Sequence, residues 1–203
     1  MLELPRRRRY AAVTIGVSSG GVQALKRLLG QLPAEFPLPI LIVQHISPDA
    51  GDGMARLLNE YCALQVKEAD EQEHVEVGRV YLAPPNYHLL VERDGLMSLA
   101  ADGYVSYARP SVDVLFESAA AAYGDALIGV VLTGANFDGS RGLKTIKDAG
   151  GCAVVQDPTD AEASQMPAAA LAATQADHVV PLAQIAELLQ RLAAEPAPDA
   201  RRR

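Results

Sequence analysis

The sequence has few cysteines and no long apolar run. Its two cysteines, Cys62 and Cys152, cannot form a disulfide framework and do not show the spacing of metal ligands, which favours a cytoplasmic protein without a structural metal. The longest apolar stretch, around Ala126 to Leu132, falls far short of the roughly twenty residues that span a bilayer. These shortages argue against a small secreted protein stapled by disulfides and against a membrane-spanning one.

Basic charge is also scarce. The formal net charge is −7 and the pI about 5.1, whereas a nucleic-acid-binding protein normally carries a basic surplus to meet phosphates. Two arginine clusters, at residues 6–9 and 201–203, lie at the extreme ends. They are interpreted as solvated tails, with docking to an acidic partner as the alternative. The first cluster does not introduce a signal peptide, because the apolar run behind it is short and ends in glycines.

What the sequence does contain is the pattern of an α/β domain. Hydrophobic residues make up 49% and charged residues 21% of the chain, as in ordinary globular proteins. Continuous apolar strands, such as Tyr10 to Val17 and Ile40 to Val43, alternate with segments of helical spacing, which is typical of a parallel sheet covered on both faces. We therefore predict a single-domain, doubly wound α/β fold with a mostly parallel sheet.

The middle of the chain departs from this alternation. Four short strand-like segments lie between Gln65 and Ala100, and Asp94-Gly95 between the last two is a hairpin signal. This pattern predicts an antiparallel excursion at one edge of the sheet. The whole domain is expected to span residues 10–194, between a basic tail at 1–9 and a disordered tail at 195–203.

The turn after the first predicted strand, Gly16-Val17-Ser18-Ser19-Gly20-Gly21, has the G-x-S-x-G pattern of a nucleophile elbow. Flanking glycines permit a tight turn that presents the Ser18 hydroxyl at the end of the strand. The helix behind it directs unpaired N–H groups, including those at Ser19 and Gly20, to the same place. Such groups stabilise an oxyanion by about 3 kcal/mol per donor.

Other interpretations of this turn are open on its residues alone. The Walker pattern fails because Val22 stands where lysine is needed, and the dinucleotide pattern fails because Ser18 stands where a glycine is needed. A generic anion-binding loop and a simple serine-capped helix start both remain.

Two further residues favour catalysis. His45 directly follows the second strand, and Asp138 lies in the loop after the strand that ends at Leu132. The carboxyl ends of parallel strands share one edge, so a serine, a histidine and an aspartate are predicted to meet there. This trio performs acyl transfer, with histidine as base and aspartate orienting the imidazole. The other histidines, at positions 74, 88 and 178, have no comparable setting and are interpreted as structural.

These residues also resemble a known family, the CheB methylesterase catalytic domain, over about Tyr10 to Leu192. The resemblance is carried by segments that occur here in the family's order: Ile15 to Gly21, Val43-Gln44-His45, Ala83-Pro84-Pro85-Asn86-Tyr87-His88, Arg109-Pro110-Ser111-Val112-Asp113, Leu132-Thr133-Gly134 through Asp138-Gly139, and Met166-Pro167. This chain differs from the family at several positions. It has Ser19 where threonine is usual, Ala135-Asn136 where Met-Gly is usual, and Gln165 where glycine is usual.

The resemblance implies a serine hydrolase with nucleophile Ser18, base His45 and orienting Asp138, and an oxyanion contact at the backbone of Gly134 and Ala135. The implied reaction removes methyl esters from glutamate side chains on the cytoplasmic helices of chemoreceptors, releasing methanol, or deamidates receptor glutamines. It implies no cofactor or metal.

The family usually carries a receiver domain ahead of this one, and the residues before the first predicted strand are too few to form it. A separate receiver domain or chemosensory kinase is therefore the expected partner. An esterase or amidase with a different acyl substrate and a non-catalytic scaffold are the alternative functions.

Overall fold

The structure is a computed structural model that describes residues 9–45 and 53–197. Strands and helices alternate along most of this part of the chain. The strands are β1 Ala12–Val17, β2 Ile40–Gln44, β3 Gln65–Glu68, β4 Arg79–Leu82, β5 His88–Val91, β6 Met97–Ala100, β7 Leu127–Val131, β8 Cys152–Gln156 and β9 His178–Val180. The helices are α1 Gly21–Leu29, α2 Gly53–Asn59, α3 Val112–Tyr123, α4 Ser140–Asp148, α5 Gln165–Ala173 and α6 Leu182–Ala193, with a 3-10 turn at Gly124–Ala126.

Seven strands form one sheet in the order β3-β4-β2-β1-β7-β8-β9, and all neighbours are parallel. Every residue of the four strands β1, β2, β7 and β8 is buried. This agrees with their continuous apolar sequences, because a strand covered on both faces has no solvent side to alternate with. The predicted doubly wound fold is confirmed.

Two hydrophobic clusters cover the sheet, one on each face. In β1, Val13 and Ile15 face a cluster formed with α1, α2 and α6, whereas Ala12 faces a second cluster formed with α3, α4, α5 and the hairpin of β5 and β6. Successive side chains of a strand point to opposite faces, so one strand serves both clusters.

The predicted antiparallel hairpin is present between β5 and β6. Among the strands of the described residues, β5 and β6 are the pair that runs antiparallel, and they form a separate two-stranded sheet rather than extending the main one. The strands β3 and β4 are parallel members of the main sheet. The sequence of a four-residue strand specifies its alternation but not the direction of its partner, so the sequence alone left the direction of β3 and β4 open. The predicted turn is present, with Gly95 at φ +83°.

Helix α5 was not predicted as a helix. Its sequence, QMPAAALAA, is almost uniformly apolar or small, so it shows no 3.6-residue alternation of polar and apolar positions. Alanine has the highest helix propensity, and Pro167 is tolerated because it lies in the first turn. Met166 and Ala170 are buried and join the second hydrophobic cluster.

The predicted tails lie mostly outside the described residues, which begin at Arg9 and end at Ala197. The adjoining described residues are joined to each other, since the Arg9 N–H donates to the Glu195 carbonyl at 3.0 Å. Across residues 9–45 and 53–197, no helix combines the length and apolar character that a bilayer crossing requires.

Candidate active site

Three loops meet at the carboxyl edge of the parallel sheet. Ser18 directly follows β1, His45 directly follows β2, and Asp138 lies between β7 and α4. Backbone hydrogen bonds tie the strand ends together: the Ser18 N–H donates to the Thr133 carbonyl at 3.0 Å, and the His45 N–H donates to the Val17 carbonyl at 3.1 Å. The three residues predicted as a triad therefore lie at one edge of the sheet.

Two glycines allow the loops to approach each other. A Cβ on Gly134 would lie 2.0 Å from the Met166 sulfur and 3.0 Å from the Ser18 Cβ. Gly20 precedes α1 with φ +77°, a conformation that side chains rarely adopt. Because Gly134 has no side chain, its loop can approach the Ser18 turn closely, and Gly20 permits the backbone conformation of that turn.

Asp138 is buried, with its side chain 0% exposed, and it is surrounded by donors. Its Oδ1 accepts from the Ser111 hydroxyl at 2.8 Å and from the Asp113 N–H at 3.0 Å. Its Oδ2 accepts from the Val112 N–H at 2.7 Å and from His45 Nε2 at 2.8 Å. The N–H groups belong to the first turn of α3, where a negative charge is favoured by the helix dipole.

This environment shifts the pKa of Asp138. Burial by itself raises the pKa, but the hydrogen bonds from His45 and from the backbone N–H groups of Asp113 and Val112 outweigh it, so the pKa lies below its ordinary value. Asp113, whose carboxylate accepts from the Gly142 N–H at 2.8 Å, has a raised pKa, mainly because burial disfavours its charge. The pKa values of these two neighbouring carboxyl groups are thus shifted in opposite directions, down for Asp138 and up for Asp113.

Both ring nitrogens of His45 have partners. Nε2 lies 2.8 Å from Asp138 Oδ2, and Nδ1 lies 3.0 Å from the side-chain nitrogen of Asn136. The other end of the Asn136 carboxamide, Oδ1, accepts from the Asp138 N–H at 3.0 Å. The sequence indicated His45 and Asp138, but it did not indicate a role for the Asn136 side chain.

Ser18 and His45 share a cavity but not a hydrogen bond. Within the described residues, no hydrogen bond joins the Ser18 hydroxyl to the imidazole, although a Ser18–His45 bond is the simplest expectation for a triad. The cavity measures about 340 Å³, and its walls come from three strand-end loops and the segment before α3: Ser18, His45, Asn136, Phe137, Tyr104, Ser106, Tyr107, Ala108, Arg109 and Pro110.

The candidate oxyanion donors differ from one another. The Gly134 N–H donates to the Ala163 carbonyl at 2.9 Å and is therefore engaged. In the described part of the chain, the N–H groups of Ser19, Gly20 and Ala135 have no hydrogen-bond acceptor. None of these four residues lines the cavity that holds Ser18 and His45.

Several supporting residues carry no clear signal in the sequence. Gln44 donates to the carbonyls of Ser18 and His45, at 3.1 and 2.8 Å, and so holds the two loops together. Ser111 and the α3 N-terminus hold Asp138, and a serine before a helical segment is the available signal for such a site. His88 is buried, receives the Ser111 N–H at 3.1 Å and lies outside the cavity, in agreement with a structural role.

The described residues contain no group of three or more His, Cys, Asp or Glu side chains that could hold a metal ion.

Comparison with known proteins relates the chain to one group. The model of the CheB methylesterase family matches residues 13–189. A putative protein-glutamate methylesterase/protein-glutamine glutaminase of Leptospira interrogans is 52% identical over 183 residues, which are 90% of this chain and 95% of the relative. The protein-glutamate methylesterase/protein-glutamine glutaminase of Symbiobacterium thermophilum is 36% identical, with 95% of this chain aligned to 52% of that protein.

The fold has a solved counterpart. The crystal structure of the Thermotoga maritima CheB methylesterase catalytic domain superimposes with a TM-score of 0.87 at 34% identity, covering 90% of this chain and 98% of that one. The chain thus spans nearly the whole Leptospira relative and the Thermotoga domain, and about half the length of the Symbiobacterium relative.

Proposed function

The chain belongs to the CheB methylesterase family, and on that premise we propose that it hydrolyses methyl esters of glutamate side chains with Ser18 as nucleophile, His45 as general base and Asp138 as the residue that orients the imidazole. The observation that carries these assignments is the contact between His45 Nε2 and a buried Asp138 that accepts three further hydrogen bonds, beside a cavity that Ser18 also lines.

The proposed reaction has two halves. The Ser18 oxygen attacks the ester carbonyl carbon while its proton passes to His45 Nδ1, since Nε2 faces Asp138. The tetrahedral intermediate then expels methanol, to which His45 returns the proton. A water molecule then gives a proton to the same nitrogen as its oxygen attacks the acyl carbon. The bond between that carbon and the Ser18 oxygen breaks, His45 returns the proton to Ser18, and the glutamate side chain is released and ionises in solvent. With a glutamine substrate, the same steps release ammonia.

The negative oxygen of the intermediate needs donors. The N–H groups of Ala135, Ser19 and Gly20 are our candidates, because each lacks an acceptor among the described residues and lies in a loop next to Ser18. Gly134 contributes by its small size, which admits the Ser18 turn, while its own N–H is bound to Ala163. Losing one such donor in other enzymes lowers kcat by about 10²–10³.

The proposed substrate is a methylated glutamate on a cytoplasmic helix of a chemoreceptor, which places the enzyme in the cytoplasm. The names of the relatives, protein-glutamate methylesterase/protein-glutamine glutaminase, support the ester and the amide. A separate receiver domain or chemosensory kinase is a further proposed partner.

Methanol release from a methylated receptor fragment tests this proposal. Ser18→Ala should abolish release, and Ser98→Ala is the matched control, because the Ser98 hydroxyl lies on the hairpin and donates to Glu92 at 2.7 Å. Equal rates in the wild type and Ser18→Ala would refute the nucleophile. Hydrolysis of p-nitrophenyl esters without methanol release from any receptor would favour a different acyl substrate.

A further inference from the structure

We propose that Asn136 is a latch on the general base: its carboxamide binds His45 Nδ1 in the free enzyme, and the Ser18 hydroxyl must displace it before proton transfer. The proposal rests on the proposed roles of Ser18 and His45 and adds a positioning residue that regulates them.

The hydrogen bonds fix which end of the Asn136 carboxamide faces the imidazole. The Asp138 backbone N–H can only donate, so the atom 3.0 Å from it is the carboxamide oxygen. The amide nitrogen therefore faces His45 Nδ1 at 3.0 Å and donates to it. Because Nδ1 accepts, the ring proton lies on Nε2, which donates it to Asp138. Every polar atom of this chain of contacts has a compatible role.

The same orientation creates a competition. A neutral imidazole offers one acceptor nitrogen, which here is Nδ1. The Ser18 hydroxyl needs that nitrogen to transfer its proton, yet the Asn136 amide occupies it. The missing hydrogen bond between Ser18 and His45 within the described residues is the expected consequence of this arrangement.

The latch has room to open. Asn136 is half-buried, lies between the exposed residues Ala135 and Phe137, and lines the same cavity as Ser18 and His45. Rotation of its side chain into the cavity would free Nδ1, and a substrate side chain entering the cavity would contact it.

The backbone does not require asparagine at this position. Asn136 is not among the residues with positive φ in the described part of the chain, so the conformational tolerance of asparagine does not explain its presence. Its side chain makes an Asx-type bond to the N–H two residues ahead, which holds the carboxamide against the imidazole.

Labelling of Ser18 by a fluorophosphonate tests the latch, because this small reagent needs no receptor docking. In that reaction the Ser18 oxygen–phosphorus bond forms, the phosphorus–fluorine bond breaks, and His45 takes the hydroxyl proton. The primary variant is Asn136→Ser, whose hydroxyl can still accept from the Asp138 N–H but is too short to reach the imidazole. Asn136→Gly, which restores the residue usual in the family, is the second variant.

Both variants should label about two- to tenfold faster than the wild type, the range that the net contribution of one neutral hydrogen bond implies. Rates at or below the wild-type rate in Asn136→Ser would overturn the latch. If only Asn136→Gly were labelled slowly, the loss of its hydrogen bond to the Asp138 N–H would explain the slow rate. The labelling rate of Asn136→Ser would then decide whether the latch exists.

Asn136→Asp tests the latch through the pH dependence of the labelling rate, which a purely structural role of Asn136 would leave unchanged. The aspartate oxygen can still receive the Asp138 N–H, but its second oxygen faces Nδ1 and favours a protonated imidazole. The acid limb of its labelling-rate profile should therefore lie at higher pH than that of the wild type. Among the described residues, the other charged or titratable groups around His45 are Asp138 on Nε2 and Arg109, Tyr104 and Tyr107 in the cavity wall.

An unshifted acid limb would show that Asn136 does not contact the base and would overturn the proposal. If no variant, including the wild type, were labelled at Ser18, the nucleophile itself would be wrong and the latch with it. Equal labelling of all variants would overturn the latch alone.

Discussion

The hydrogen bonds of Asp138 determine both its own orientation and the tautomer of His45. Four donors surround its carboxylate, and they leave it one orientation relative to His45. A carboxylate can only accept, so it selects the imidazole tautomer with the proton on Nε2 and leaves Nδ1 as the base. The function of Asp138 in this proposal is to choose which nitrogen acts.

Replacing Asp138 by asparagine should reverse that choice. The amide nitrogen would replace one carboxylate oxygen, and at the Oδ2 position it would face both His45 Nε2 and the Val112 N–H. A donor facing Nε2 stabilises the tautomer with the proton on Nδ1. We expect kcat for p-nitrophenyl acetate to fall by about 10³–10⁴, as in serine hydrolases that lose this residue. A fall of less than tenfold in a folded variant would argue against the orienting role.

The lowered pKa of Asp138 also predicts how stability depends on pH. A carboxyl group whose pKa is depressed in the folded state stabilises it above the unfolded pKa of about 3.9, and that contribution is lost as the pH falls through the folded pKa. The difference in unfolding free energy between wild type and Asp138→Asn should be constant above about pH 5 and shrink towards pH 2. Urea unfolding at several pH values measures it, and a difference that widens with acid would contradict the lowered pKa.

At the scale of elements, the site depends on how closely α3 packs against the sheet. The Val112 side chain lies between two glycines: a Cβ on Gly16 of β1 would be 2.2 Å from it, and a Cβ on Gly139 would be 2.6 Å from it. The backbone N–H of the same residue donates to Asp138. A displacement of α3 would therefore move the carboxylate away from His45.

A double-mutant cycle tests this packing. Gly16→Ala should destabilise the protein by about 1–3 kcal/mol through overpacking, and Val112→Ala by a similar amount through the cavity that it leaves, about 1–3 kcal/mol. The methyl group added at Gly16 would occupy the space of those removed from Val112. The loss of unfolding free energy in the double variant should therefore be smaller, by at least about 0.5 kcal/mol, than the sum of the losses in the two single variants. Thermal unfolding measures all three variants, and strict additivity would show that the two residues do not share this space.

At the scale of the whole molecule, the parallel sheet supports the site from its centre. The strands β1, β2 and β7, which lead to the three loops, are neighbours in the middle of the sheet and are buried on both faces. The strand β9 lies at the edge, and the hairpin of β5 and β6 is a sheet of its own. The loops that carry the proposed triad thus begin from the most enclosed part of the fold.

Hydrogen exchange should reflect this arrangement. Amides of β1, β2 and β7 should exchange only through global unfolding, whereas those of β9 should exchange faster by local opening, because edge strands have fewer buried neighbours. Exchange monitored by mass spectrometry or NMR separates the two groups. Protection of β9 equal to that of β1 would show that the sheet opens only as one unit.

Much of the fold follows from local patterns. The buried apolar strands were predictable, since the apolar segments Tyr10 to Val17 and Ile40 to Val43 correspond closely to β1 and β2. The direction of β3 and β4 was not predictable, because the partners of such short strands are chosen by contacts with distant residues. Helix α5 escaped notice for a different reason, since a helix without a polar face carries no periodic signal.

The sequence alone was enough to propose the glycine turn after β1 and the three residues Ser18, His45 and Asp138. The reason is that strand ends in a parallel sheet share one edge whatever the details of packing. Only the tertiary structure decided how these side chains meet. The partners of His45 are 93 and 91 residues away along the chain, at Asp138 and Asn136. Hydrogen bonds of that kind depend on distances of a few ångströms between separate elements, and local sequence patterns do not encode such distances. For that reason the amide on the base nitrogen, and the latch that we infer from it, became visible only in the folded chain.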